Sequence, residues 1–122
     1  RLINMYSIEG DTVLDPFVGL GTTILAAIAS CRNSFGVEID AEIAELAMEN
    51  IQNSISGLNN VIKKRIEAHQ KFITGLPEDK KIKCYDNEYQ GCKVITKQET
   101  AIRINQISSF EINGYSIICK YE

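Results

Sequence analysis

The sequence of 122 residues has few of several residue types, and each shortage excludes a class of protein. It contains no tryptophan, one histidine and four cysteines, and no two cysteines form a Cys-x-x-Cys pair. Zinc sites and disulfide frameworks need such ligands at close spacing, so neither is expected. No apolar run approaches the ~20 residues of a membrane span, and no signal peptide is evident. We therefore expect a cytoplasmic chain that does not contact a membrane.

Proline and net charge are also limited. The only prolines are Pro16 and Pro77, which are never adjacent, and the net charge is −3. This charge provides no strongly basic face for a nucleic acid. Hydrophobic residues make up 44% of the sequence, which is ordinary for a globular domain, and the length fits one domain or part of one.

The first half of the sequence alternates between strand and helix patterns. Thr12-Val13-Leu14 predicts a buried strand that ends at Asp15-Pro16, because proline cannot continue a ladder. A helix-forming run begins at Thr22, is interrupted at Asn33-Ser34, and leads to a second predicted buried strand, residues 35–39.

Two amphipathic helices are predicted next. Asp40 is a good N-cap for the first, and Ser56-Gly57 ends it. The predicted apolar face of this helix consists of Ile43, Leu46, Ala47, Ile51 and Ile55. The second covers about residues 59–72. A group of helix breakers at residues 75–79 then predicts a subdomain boundary.

Beyond this boundary the apolar residues alternate. The pattern occurs at Ile82/Cys84, Cys92/Val94, Ile102/Ile104 and Ile117/Cys119, and Asn113-Gly114 predicts a hairpin turn. The predicted class is therefore α/β. Residues 1–75 would form a partial Rossmann-like half-domain with the order strand-helix-strand-helix-helix, and residues 76–122 a small antiparallel β extension.

The segment between the first strand and its helix, Asp15 to Thr23, is the candidate binding turn. Its glycines let a ligand approach the backbone closely, and a helix start with two threonine hydroxyls suits an anion. It lacks the Gly-Lys of a phosphate-binding loop, and Ile24 stands where a dinucleotide site has its third glycine. Asp15 would repel a polyphosphate, so a ligand with both a cation and an anion, such as an amino acid head group, is favoured.

The second strand ends in Val37-Glu38-Ile39-Asp40. An acidic residue at this strand tip is placed to accept hydrogen bonds from two ribose hydroxyls, and the adjacent Ile39 suits a flat base. Amino acid, ribose and adenine together describe S-adenosyl-methionine.

The string TVLDPFVGLGTTILAAIASCRNSFGVEID, residues 12–40, resembles the cofactor-binding motif of DNA amino-methyltransferases. This family methylates exocyclic amino groups of adenine or cytosine. The resemblance implies that Asp15 faces the methionine amino group, that Thr22 or Thr23 meets its carboxylate, and that Glu38 holds the ribose. A side chain added at Gly21 would enter the ligand's space. The implied cofactor-binding set is Asp15, Pro16, Phe17, Gly19, Gly21, Thr22, Thr23, Glu38 and Ile39.

The opening RLINMYS resembles the end of the helix that precedes this motif in the circularly permuted branch of the family. In that branch the cofactor half follows the catalytic half. The family's catalytic loop, Asp/Asn/Ser-Pro-Pro-aromatic, needs adjacent prolines, so we expect no catalytic residue here and place the loop upstream of Arg1. The resemblance implies double-stranded DNA as the substrate of the whole enzyme. The chain alone should be inactive and should self-associate, as a homodimer or by exchange of its β extension.

Other interpretations remain open at this level. The chain could be a non-catalytic remnant or a partner-binding subunit, or part of an RNA or small-molecule methyltransferase. Asp15 could simply cap a turn, Glu38 could be a solvated strand end, and Asp40 only a helix cap. Neither the target base nor the recognition sequence follows from these residues.

Overall fold

A computed structural model describes residues 2–122, and Arg1 lies outside the described residues. Helices and strands are mixed, which agrees with the predicted α/β class. In this part of the chain, no helix is both long and apolar enough to cross a membrane. The helices and strands are α1 (Leu2–Tyr6), β1 (Thr12–Asp15), α2 (Thr22–Ile28), β2 (Asn33–Gly36), α3 (Ala41–Ile55), α4 (Leu58–Thr74), α5 (Glu78–Lys81), β3 (Tyr85–Asp86), β4 (Lys93–Val94), β5 (Ile107–Asn113) and β6 (Ser116–Tyr121).

The first two strands form a parallel pair connected through α2, as the strand-helix-strand pattern predicts. Their register runs from Thr12 opposite Asn33 to Asp15 opposite Gly36. The predicted bounds of the second strand, residues 35–39, were wrong. The regular ladder starts earlier, at Asn33, and ends at Gly36 because its partner strand ends before Pro16, which has no N–H to donate.

The two strands are not buried on both faces, which corrects the sequence-based expectation. Leu14 is 65% exposed and Phe35, its register partner, is 64% exposed. Val13 and Ser34, which point the other way, are half-buried. One face of this two-stranded sheet is therefore open to solvent.

The predicted cap and length of α3 are confirmed. Asp40 Oδ1 accepts hydrogen bonds from the N–H groups of Glu42 (2.9 Å) and Ile43 (3.3 Å), and Ser56 follows the last turn. Ile51 and Ile55 of this helix are buried in the main hydrophobic core together with Ile28 and Ile107. The amphipathic pattern thus identified Ala47, Ile51 and Ile55 as buried, whereas Ile43 and Leu46 of the predicted apolar face are exposed.

The predicted C-terminal hairpin is also confirmed. β5 and β6 pair antiparallel, but the turn lies one residue later than the predicted Asn113-Gly114. Asn113 pairs with Ser116, so Gly114, with φ +58°, and Tyr115 form the two-residue loop. The hairpin is tied to the helices at two points. The Asn59 side chain donates to the Ile107 carbonyl and accepts from its N–H, both at 2.8 Å, and the Tyr121 hydroxyl donates to the Ile28 carbonyl at 2.9 Å.

The chain divides into two compact units. One contains the residues up to Asn59 together with Asn105–Glu122, and the other contains Asn60–Ile104. The hairpin thus belongs to the same unit as β1 and β2, although more than forty residues separate them in sequence. The assignment of residues 1–75 to a methyltransferase half-domain and of 76–122 to an extension stays a prediction.

In the second unit, the helix predicted for residues 59–72 is confirmed as α4, with Ile62 and Ile73 buried. The alternating pattern was misleading there. Residues 82–84 and 102–104 form no strands, and the observed pairing is limited to β3 with β4. Instead, the buried Asn87 amide donates to the carbonyls of Glu99 and Ile102 at 2.8 and 2.9 Å, which holds this segment as a loop.

Candidate functional site

The candidate turn lies at the carboxyl ends of β1 and β2. Its backbone is bonded to the end of the second strand, because Val18 N–H donates to the Val37 carbonyl at 3.0 Å. Within the turn, Gly21 N–H donates to the Val18 carbonyl at 2.9 Å. These bonds hold the turn against both strands.

Asp15 organises the start of this turn. Its Oδ1 accepts a hydrogen bond from Phe17 N–H at 3.0 Å. The Thr23 hydroxyl, and then this N–H, hold the pKa of the Asp15 carboxyl below its ordinary value of 3.8. Asp15 therefore carries a full negative charge at neutral pH. A carboxylate can accept about four hydrogen bonds, so the capacity to bind an ammonium group remains.

Glu38 connects the two strand ends. Its Oε2 accepts from Gly19 N–H and its Oε1 from Asp40 N–H, both at 3.1 Å. The half-buried carboxylate is thus fixed between the glycine turn and the start of α3.

The two glycines of the turn have different surroundings. Gly19 has φ +51°, and a Cβ built there would meet only the Phe17 carbonyl oxygen, at 4.0 Å. Gly21 has φ +82°, and a Cβ there would lie 2.8 Å from Ile51 Cδ1 of α3. The expectation that a side chain at Gly21 would enter ligand space is therefore wrong, because that direction points into the core. Gly19 is the position where the backbone can be approached.

Apolar side chains next to the turn are unusually exposed. Phe17 is 87% exposed and Ile39 is 100% exposed, and they lie two and three residues beyond the ends of β1 and β2. Pro16 is also exposed. Thr22 is exposed at the first position of α2, whereas Thr23 is half-buried beside Asp15. The structure therefore separates the two threonines that the sequence left as equivalents.

Two residues that hold the turn escaped sequence reasoning. Asn50 of α3 donates from its side-chain amide to the Leu20 carbonyl at 2.8 Å. Val18 packs against Gly36 so closely that a Cβ at Gly36 would lie 2.7 Å from Val18 Cγ2. No local pattern marks either contact, because each joins residues far apart in sequence.

A metal site requires several ligating side chains that are clustered at one point. Within residues 2–122, no group of three His, Cys, Asp or Glu side chains is placed to hold a metal ion. The donors at the turn are instead a carboxylate pair, backbone N–H groups and hydroxyls. This donor set fits a ligand with an ammonium, a diol and an apolar base.

A family model and several known proteins match this chain. The family model described as DNA methylase matches residues 1–49. Those residues include every residue of the candidate site and therefore carry the sequence signature of the DNA methylase family. The resemblance inferred from the DPF-x-G-x-G-T-T string is confirmed. S-adenosyl-L-methionine is the methyl donor of type II DNA methyltransferases.

Individual relatives show the same kinship. The chain is 44% identical over 104 residues to the type II methyltransferase M.MthZI of Methanothermobacter thermautotrophicus, an alignment that covers 85% of this chain and 28% of that protein. It is 59% identical over 51 residues to the type II methyltransferase M.MjaI of Methanocaldococcus jannaschii, covering 42% of this chain and 17% of that protein. The chain thus spans less than a third of these relatives. No solved structure matches it.

Proposed function

We propose that this chain is the S-adenosyl-methionine-binding portion of a cytoplasmic DNA methyltransferase that acts on the exocyclic amino group of adenine or cytosine. The observation that carries the proposal is the Glu38 carboxylate, which is bonded to Gly19 N–H at 3.1 Å and thereby placed between two parallel strand ends. The exposed Phe17 and Ile39 stand at the same edge. The partial Rossmann-like fold is part of this proposal.

The residues at the edge divide the work of binding. Asp15 would attract the methionine ammonium, since its carboxylate is ionised and has unused acceptor capacity. Glu38 would accept hydrogen bonds from the ribose hydroxyls. Of the two threonines, Thr22 is the better donor to the methionine carboxylate, because the Thr23 hydroxyl is already engaged by Asp15. Gly19 would let the ligand approach the backbone.

The apolar side chains suit the base. Ile39 and Phe17 expose nearly all of their surface, and covering them with a flat ring removes apolar area from water. Pro16 and Gly21 would contribute through the backbone shape of the turn. The bound cofactor would supply an electrophilic methyl group. The role of this chain would be to orient it rather than to move protons.

The rest of the enzyme would lie upstream, in a catalytic half that holds the Asp/Asn/Ser-Pro-Pro-aromatic loop. Double-stranded DNA would be the substrate of the assembled enzyme, with the target base turned out of the stack because its amino group is otherwise unreachable. The alternative, a remnant or subunit that only binds partners, is favoured by one observation, the solvent-exposed Leu14 and Phe35. If the substrate were instead an RNA or a small molecule, the assembled enzyme would transfer methyl groups to that substrate and not to DNA.

Calorimetric titration of the chain with S-adenosyl-methionine tests the proposal. We expect weak binding, with a Kd above about 1 μM, because much of the pocket wall would lie in the missing half. Glu38→Gln and Asp15→Ala should each weaken binding by about 1–3 kcal/mol, since each leaves a polar cofactor group without its partner.

The matched control is Glu45→Gln, which neutralises an exposed carboxylate on α3 outside the site. Amide resonances of Gly19, Glu38 and Ile39 should shift on titration. Equal affinity in the site and control variants, or shifts confined to other residues, would contradict the assignment. Methyl transfer to DNA after complementation with the catalytic half would separate an enzyme from a partner-binding remnant.

A further inference from the structure

The Leu20–Gly21 peptide unit of the candidate turn is hydrogen-bonded at both of its ends. The Leu20 carbonyl accepts from the Asn50 side-chain amide at 2.8 Å. The Gly21 N–H donates to the Val18 carbonyl at 2.9 Å. Because a peptide unit is planar, these two bonds together set the rotation of the whole unit. The backbone between Leu20 and Gly21 therefore has one defined orientation.

The carbonyl end of this peptide unit depends on Asn50. Within residues 2–122, the Asn50 amide is the one group that donates to the Leu20 carbonyl. The Leu20 side chain is 56% exposed, so burial does not hold this residue in place. Asn50 belongs to α3 and lies 30 residues beyond Leu20, so the bond joins the turn to a helix of the core.

The same part of α3 also packs against the turn. A Cβ built at Gly21 would lie 2.8 Å from Ile51 Cδ1 and 3.7 Å from Ala47 Cβ. Apolar packing is not directional, so these contacts set how closely the turn approaches α3 but not how the peptide unit is rotated. A hydrogen bond is directional, and the bond from Asn50 therefore supplies the rotation that packing leaves free.

The orientation of the Asn50 amide follows from its two neighbours. A carbonyl oxygen can only accept, so the amide must present its NH₂ group to Leu20. The Ser54 hydroxyl, one helical turn further along α3, donates to Asn50 Oδ1 at 3.5 Å. Both ends of the amide thus have a partner, and the donor end is directed at the turn.

The Leu20–Gly21 unit is coupled to the Glu38 carboxylate through Gly19. The bond from Gly21 to Val18 closes a four-residue turn whose second residue is Gly19. The Gly19 N–H donates to Glu38 Oε2 at 3.1 Å. If the Leu20–Gly21 unit rotated, the Gly21 N–H would leave Val18 and the Gly19 backbone would shift against Glu38. Asn50 thus maintains the backbone in which Gly19 and Glu38 are bonded.

We propose that Asn50 is a positioning residue for cofactor binding, which acts by fixing the rotation of the Leu20–Gly21 peptide unit. This inference rests on the proposed function, in which Gly19 and Glu38 meet S-adenosyl-methionine. Asn50 acts through the turn and not by its own contact with the cofactor. The turn is therefore held in its binding conformation before the ligand arrives, which lowers the cost of ordering it on binding.

The variant Asn50→Asp tests the proposal, because it keeps the shape of the side chain but replaces the donor by an acceptor that repels the Leu20 carbonyl. In calorimetric titration with S-adenosyl-methionine, the Kd should rise about tenfold or more. The added negative charge would by itself attract the cationic sulfonium, so weaker binding would come from the turn. Asn53→Asp is the matched control, since it makes the same change at an exposed position of α3 and should bind as the parent does.

Two further measurements separate positioning from a general loss of structure. The Asn50 bond lies at the exposed surface, so the midpoints of chemical denaturation should agree for Asn50→Asp and Asn53→Asp. Hydrogen exchange of the Gly21 amide should become faster in Asn50→Asp alone, because a rotated peptide unit releases this N–H from Val18.

Three outcomes would overturn the inference: equal Kd values for Asn50→Asp and Asn53→Asp, weaker binding that accompanies a lower denaturation midpoint, or unchanged exchange of the Gly21 amide. The fate of the proposed function is read separately. Binding that depends on Glu38 but tolerates Asn50→Asp would remove the role of Asn50 alone. Binding that falls in Asn50→Asp but ignores Glu38→Gln would remove the Glu38 assignment alone. A parent chain that does not bind the cofactor would remove both.

Discussion

The two faces of the β1–β2 sheet differ sharply. One face packs towards α2 and α3, where Gly21 contacts Ile51 and the core is closed. The other exposes Leu14 and Phe35 as a register pair. Parallel sheets are almost always covered on both faces, because the helices that connect their strands lie on those faces. Within the described residues, only one face of this sheet is covered.

The covered face should be the more sensitive to mutation. Gly21→Val should lower the free energy of unfolding by about 2–6 kcal/mol, because it combines strain at φ +82° with overpacking against Ile51. Chemical denaturation measures the change. Gly10→Val is the matched control, since Gly10 has φ +86° with no atom within 4 Å of a built Cβ. Equal losses in both variants would show that contact with α3 contributes nothing.

The stability of the β5–β6 hairpin depends on its hydrogen bonds to Asn59 at the start of α4. Asn59→Ala should cost about 1–3 kcal/mol of unfolding free energy, because it removes two hydrogen bonds to Ile107 and leaves a buried backbone unpaired. Hydrogen exchange should show that amides of β5 and β6 lose protection first. The exposed Asn53→Ala on α3 serves as the control. Unchanged protection in the hairpin would mean that Asn59 does not anchor it.

Substitutions on the exposed face of the β1–β2 sheet should change the free energy of unfolding very little. Leu14→Ser combined with Phe35→Ser should change stability by only about 0.5 kcal/mol, since both side chains are already exposed. The isolated chain should self-associate through this face, and the double variant should do so less. Light scattering with and without reducing agent tests this, and the reducing agent should have no effect. A parent chain that stays monomeric at high concentration would contradict the expectation.

The smallest expected effect is the loss of stability at low pH that arises from Asp15. Because the pKa of Asp15 is lowered in the folded state, its stabilising contribution is present above the ordinary pKa of 3.8 and is lost as the pH falls through the folded-state value. Thr23→Val removes the largest cause and should raise the pKa of Asp15 towards 3.8. Carboxyl NMR titration measures it, with Thr22→Val as control. An unchanged Asp15 pKa in Thr23→Val would exclude the hydroxyl as the cause.

Local patterns were sufficient for much of the fold. The Asp40 cap, the core-facing Ile51 and Ile55 of α3 and the existence of the C-terminal hairpin each depend on residues within a few positions of one another, and each appears as predicted, although the hairpin turn lies one residue later. The bounds of β2 were wrong because a strand's length depends on its partner. The alternation at residues 102–104 failed because the distant Asn87 binds the Ile102 carbonyl.

The sequence by itself determined the candidate turn, its order of strand, glycines and helix, and the family signature of residues 1–49. Those properties are carried by neighbouring residues and their side-chain chemistry. Only the tertiary structure decided that Gly21 faces α3 while Gly19 faces open space, and that Glu38 is bonded to the turn. These facts depend on which distant segments meet, and burial and hydrogen bonding between distant segments are settled only when the whole unit packs.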